Sequence, residues 1–226
     1  TTDWSRWNDL YYFTSHENQD FLEANCTPTV NNSLQIDFFA MVNAQGKLLF
    51  SQAVNLDTME VVPLSEDVKA LLQPGNTLLA HADPQAEVAG LLALDSGVLI
   101  ICSRPIVTMQ QTGPIGGAMV MGRYLNERLV ERLRKSTHLP FTLFRTDGNN
   151  LPSGVSKDIL QALNLENPVQ TVVLHEDKVT GLGLIPDLES RFVVGVALER
   201  PRTIYTQGMH LLRFFALAFL VVTAAA

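Results

Sequence analysis

The chain has 226 residues, 46% of them hydrophobic and 17% charged, with a formal net charge of −7 at pH 7. That length carries one large domain or two small lobes, each with its own core. An acidic chain without a basic cluster is excluded as a nucleic-acid binder, because affinity there comes mainly from neutralising phosphates.

The stretch DWSRWNDLYYF at 3–13 opens a helix expected over 3–25. Trp4, Trp7 and Tyr11 fall at i, i+3 and i+7 on one face, and Phe21 continues the stripe. The turn-rich NCTPTVNNS ends it. LQIDFFAMVNAQGKLLFSQAV, 34–54, reads as a β-hairpin about NAQG. PLSEDVKALLQPG predicts a helix of two to three turns, from an N-cap at Ser65 to a stop at Pro74-Gly75. Three strands, 87–94, 98–110 and 114–125, joined by the short turns DSG and QTG, predict antiparallel pairing. NERLVERLRKST, 126–137, is a charged amphipathic helix. LPFTLFRTDGN then gives a strand and turn, and SKDILQALNL a short helix. QTVVLHED, KVTGLGLIPD and RFVVGVALE give three strands, with HEDK as a hairpin turn. Pro201 is placed to open a final helix.

The chain closes with GMHLLRFFALAFLVVTAAA, uncharged from Phe214 to Ala226. This run falls short of the roughly 20 apolar residues of a spanning helix. It reads as the first part of a transmembrane helix with Arg213 and His210 at the headgroups, or alternatively as a buried core helix. The start at Thr1 rather than Met reads as a fragment or processed chain with a first membrane anchor upstream.

Runs of antiparallel strands with helices at the edges define an α+β class. Two sheet lobes strung along one long N-terminal helix fit the order, and a single larger mixed sheet is the competing architecture. The expected divisions are 1–137 for the N-terminal helix and a membrane-distal lobe, 138–200 for a smaller membrane-proximal lobe, and 201–226 for the exit helix.

The five histidines, His16, His81, His138, His175 and His210, are widely separated and form no HExxH or CxxC-type pattern, so no metal site is expected. TGPIGG lacks GxGxxG spacing and lies between strands, which makes it a tight turn rather than a phosphate cradle. No catalytic constellation and no cofactor is expected. Cys26 and Cys102 are open to two readings, a disulfide or reduced buried thiols. Arg104 and Arg123 interrupt apolar strands, and an arginine among apolar neighbours must be paired. The partner is either a carboxylate such as Asp3 or Asp9, or an anionic ligand.

The DWxxW opening, the hairpin FAMVNAQGKLLFS and above all SRPIVTMQQTGPIGGAMVMGRYLN resemble the fourth type of CHASE domain, the cyclase/histidine-kinase-associated sensory extracellular family. The resemblance covers roughly 3–137. It implies a PAS-like, Cache-like fold and a periplasmic input module of a bacterial inner-membrane receptor. The outputs it implies are cyclic-di-GMP turnover or a histidine kinase. An unidentified small-molecule ligand and a homodimer are expected, with Trp4, Trp7, Tyr11, Arg104 and Arg123 as candidate ligand contacts. The alternative is a ligand-free dimerisation or partner-binding module of the same kind of receptor.

Overall fold

The computed structural model of the protein describes residues 2–111, 113–148, 151–175 and 178–224. Two compact units emerge: residues 1–130 with Asp187–Arg191, and Glu131–Pro186 with 192–226. Each holds its own antiparallel sheet, so the single mixed sheet is set aside in favour of two.

The first unit is built on strands β1 (Phe38–Asn43), β2 (Leu48–Val54), β3 (Val61–Val62), β4 (Val88–Leu94), β5 (Gly97–Ile106) and β6 (Gly117–Tyr124). Their spatial order is β3-β2-β1-β6-β5-β4. Strand alternation sorts side chains onto two faces. On one face Phe38, Ala40, Leu99, Ile101 and Val120 pack with Val68, Leu72 and Leu78. Those last three come from helix α5 (Glu66–Leu71), the residue that ends it, and a 3-10 turn at Thr77–Leu79. On the other face Phe39, Met41, Ile106, Met119 and Met121 meet Leu10, Phe13, Phe21 and Cys26 from the N-terminal helices. The register Phe39↔Met121 and Met41↔Met119 places these partners side by side.

The N-terminal helix is not continuous. Four short helices replace it: α1 (Thr2–Ser5), α2 (Asn8–His16), α3 (Gln19–Asn25) and α4 (Pro28–Leu34). Trp7 is extended at φ −113 and ψ 125, and Glu17 is left-handed at φ 46, with its N–H donating to the Phe13 carbonyl. Asn18 caps α3 by accepting from the Asp20 N–H at 2.9 Å. Pro28 at the first turn starts α4 where only turn residues were expected. Burial against the sheet overrides the local helical period here.

Other boundaries shift for local reasons. α5 has six residues, fewer than two to three turns. Ser65 sits at its N-cap position, yet its hydroxyl donates to Asp67 Oδ1 at 2.5 Å instead of capping a backbone N–H. In the first hairpin Asn43 Oδ1 accepts from the Gln45 and Lys47 N–H groups, which fixes the turn. At Gly117, φ is +151 and a Cβ would stand 1.9 Å from the Val42 carbonyl oxygen, so only glycine lets β6 begin against the end of β1.

The second sheet comprises β7 (Phe141–Arg145), β8 (Val169–His175), β9 (Lys178–Pro186) and β10 (Phe192–Pro201), in order β7-β10-β9-β8. Phe144, Leu182, Leu184 and Ala197 form its core with Leu160 of α7 (Lys157–Gln161). α6 (Glu127–Thr137) contains the division between units, at Val130/Glu131. Glu176 and Asp177 of the expected HEDK turn lie outside the described residues. Pro201 is the last residue of β10, opposite Lys178, and α8 (Thr203–Ala224) starts two residues later.

α8 has 22 residues, about 33 Å at roughly 1.5 Å each. Its window Thr203–Val221 is long and apolar enough to cross a membrane and none of it is buried, which rules out a core helix. That window takes in His210 and places Arg213 near its middle rather than at an end.

Candidate functional site

The N-terminal helices hold the loop that follows β5. The Ser5 carbonyl accepts from the Val107 N–H at 2.9 Å. Asn8 Oδ1 accepts from the Met109 N–H at 2.8 Å, and the Tyr11 hydroxyl donates to the Pro114 carbonyl at 3.1 Å. Three attachments, at Val107, Met109 and Pro114, bind the loop between β5 and β6 to residues 5–11, the last of them within the GPIGG motif. Beneath them Trp4 meets Trp7 edge-on at 5.8 Å and Phe39 at 6.0 Å, and Trp7 lies 5.3 Å from Phe21. The two indoles, each partly buried, therefore pack against the core, although no single helix aligns them. Asn8 escaped the sequence reading because nothing local shows that an amide at a helix start reaches a loop 101 residues away.

The arginines lie on the same helix-covered face, Arg104 opposite Met119 and Arg123 opposite Ile100. Arg104, only 16% exposed, pairs with Glu87 rather than Asp3 or Asp9. Its Nε is buried with no partner among the described residues. Arg123 acts electrostatically on Asp37, whose carboxyl is pushed above its ordinary range by burial against the opposing pull of the Tyr124 N–H and Arg123. Asp37 Oδ2 accepts that N–H at 2.7 Å.

A cleft of about 360 Å³ opens in the first unit between the β1–β2 turn, the segment from Gly75 to His81, and Ile115 with Gly117. None of Trp4, Trp7, Tyr11, Arg104 and Arg123 lines it. His81 Nε2 is 2.9 Å from Ser103 Oγ, and Ser103 is fully buried in β5. The other ring nitrogen, Nδ1, is buried without a hydrogen-bond partner among the described residues. Burial pulls the His81 pKa down, so the ring is neutral at pH 7. Asn76 Oδ1 accepts from the Leu78 N–H at 2.9 Å and holds the 3-10 turn that forms one wall. Beside the turn, Lys47 is paired with Glu17 at 2.5 Å. The cleft escaped prediction because it joins three segments that lie far apart in sequence.

Neither Cys26 nor Cys102 is in a disulfide, which decides against that reading. Burial pushes the Cys26 thiol up to about 12. Among the described residues no group of three or more His, Cys, Asp or Glu is placed to hold a metal ion.

This two-sheet α+β architecture is shared with the extracellular domain of vpHK1S-Z8, named as a histidine kinase. The TM-score is 0.54 with 10% identity, covering 91% of this chain and 83% of that one. It is also shared with a domain named as part of a sensory box/GGDEF family protein from Vibrio parahaemolyticus. There the TM-score is 0.54 with 11% identity, covering 89% and 86%. These likenesses show a shared fold. The chain belongs to the CHASE4 domain family, whose model it matches over residues 1–144, and is a sensory domain. Its sequence is also 26% identical over 211 residues to the methanogenesis regulatory histidine kinase FilI of Methanothrix harundinacea (strain 6Ac). The match takes in 93% of this chain but spans only 23% of that relative.

Proposed function

We propose that the chain is the extracytoplasmic input domain of a transmembrane receptor, that its first unit takes up a small solute, and that its output is a histidine kinase. In this reading α8 crosses the membrane, the preceding residues lie in the periplasm of a bacterial inner-membrane receptor, and the receptor works as a homodimer. Residues 1–137 form the sensing lobe, 138–200 a smaller lobe nearer the membrane, and 201–226 the exit helix. The likeness to a histidine kinase over nearly the whole chain favours that output over cyclic-di-GMP turnover.

The observation that carries the reading is an open cleft in the motif-bearing unit of a chain that also has a membrane-length apolar helix. The ligand-free alternative drew on the aromatic stripe and the charged helix 126–137 as an interface. Trp4 and Trp7 pack against the core of the first unit, which leaves less of the stripe for a partner. In this reading Tyr11 holds the loop beside the cleft through the Pro114 carbonyl, while Trp4, Trp7, Arg104 and Arg123 support the sheet rather than touch the solute.

The test is a thermal-shift screen of the detergent-solubilised chain against a broad metabolite panel, run on the wild type and on Ile115→Trp, which fills the cleft. A solute that stabilises only the wild type supports the reading. No stabilising solute, or equal stabilisation of both proteins, counts against it.

A further inference from the structure

We infer that the cleft bounded by Asn43, Asn76, His81 and Ile115 selects uncharged solutes that carry hydroxyl or carboxamide groups. The inference rests on the solute-sensing reading above and adds the chemistry of what is sensed.

The first ground is what the walls lack. Apart from the neutral His81, no lining residue carries a titratable side chain. Lys47, next in sequence to the lining residue Gly46, does not line the cleft and is paired with Glu17. A carboxylate or ammonium entering a partly desolvated cleft needs a countercharge, because burying it unpaired is very costly. None is offered here, so free amino acids and organic acids are disfavoured.

The second ground is what the walls supply. Asn43 and Asn76 use their carbonyl oxygens on backbone N–H groups of their own turns. Their amide NH₂ groups are left as donors, and Gln45 adds a further amide. The His81 ring offers the solute no free nitrogen, since Nε2 is engaged by Ser103 and Nδ1 is buried away from the open cleft. The polar groups on offer are therefore the amide donors, from which a hydroxyl or a carboxamide oxygen can accept. Leu79 and Ile115 supply apolar wall, and about 360 Å³ lies at the small end of the roughly 300–1,000 Å³ range of ligand pockets.

The experiment uses the detergent-solubilised chain and saturation-transfer NMR with five probes. Sorbitol and propionamide are neutral, gluconate and propionate are their anionic counterparts, and glucosamine is cationic. Transfer is expected to sorbitol or propionamide, to be lost in Ile115→Trp, and to be absent for the charged three. Asn76→Asp keeps the cap on Leu78 and places one negative charge in the wall. It is expected to raise glucosamine binding about tenfold relative to sorbitol. Transfer to gluconate, propionate or glucosamine that Ile115→Trp abolishes overturns the neutral-solute inference while leaving solute sensing intact. Silence from both neutral probes also overturns it, and the thermal-shift screen then judges the sensing reading separately.

Discussion

Gly117→Ala isolates the close approach between β6 and β1. The new Cβ would stand 1.9 Å from the Val42 carbonyl oxygen and 2.7 Å from Asn43 Cα, both backbone atoms that cannot rotate away. Separating the strands there costs about 1–3 kcal/mol as overpacking. Holding alanine at φ +151 adds about 1–3 kcal/mol of strain. Gly75→Ala is the internal control, because its φ of +89 imposes strain while nothing lies within 4 Å of the added methyl. The difference between the variants is about 2 kcal/mol. With a urea slope of about 2 kcal/mol per M, Gly117→Ala unfolds about 1 M earlier than Gly75→Ala. Tryptophan emission reads the correct unit, since the only two tryptophans, Trp4 and Trp7, both pack in the first. Equal urea midpoints for the two variants would refute the reasoning.

Glu87→Gln leaves the Arg104 guanidinium largely buried without its countercharge and is expected to cost about 1–3 kcal/mol in the same assay. Adding Arg104→Met to that variant recovers stability if the loss is electrostatic. Tyr11→Phe removes the bond to the Pro114 carbonyl and costs about 0.5–1.5 kcal/mol, seen as faster proteolysis in the 107–116 loop. His81 has its pKa lowered by burial from 6.5, so the unfolded chain binds the proton more readily. Its contribution is complete above pH 6.5 and is lost as the pH falls through the lower folded value. Urea midpoints at pH 7.5 and 5.5 therefore converge in His81→Gln relative to wild type. Cys26, with its thiol pushed to about 12, resists iodoacetamide at pH 8 until urea opens the aromatic layer, as intact mass shows.

Alternation made the central strands legible. Phe39, Met41, Met119 and Met121 face one way, and their neighbours the other, as a period of two requires. The break at Glu17 was illegible because a glutamate disfavours the left-handed conformation it adopts, and the one at Trp7 because the i, i+3, i+7 spacing of Trp4, Trp7 and Tyr11 imitates a continuous helix. The partner of Arg104 was within reach. The β4–β5 pairing runs from Leu94↔Gly97 to Val88↔Ser103, and one more step sets Glu87 opposite Arg104. Cys26 and Cys102 could not be resolved from composition, because pairing depends on geometry and not on count.

Arg213 is the eleventh residue of α8, about 15 Å along its axis from Thr203. A guanidinium held at the centre of a lipid bilayer costs about 2.5–3.5 kcal/mol. In the membrane-spanning reading of α8, Arg213 carries that cost at the middle of the Thr203–Val221 span. Its long side chain relieves it only by reaching towards a headgroup, and Arg213→Leu would hold the helix more firmly in the hydrocarbon.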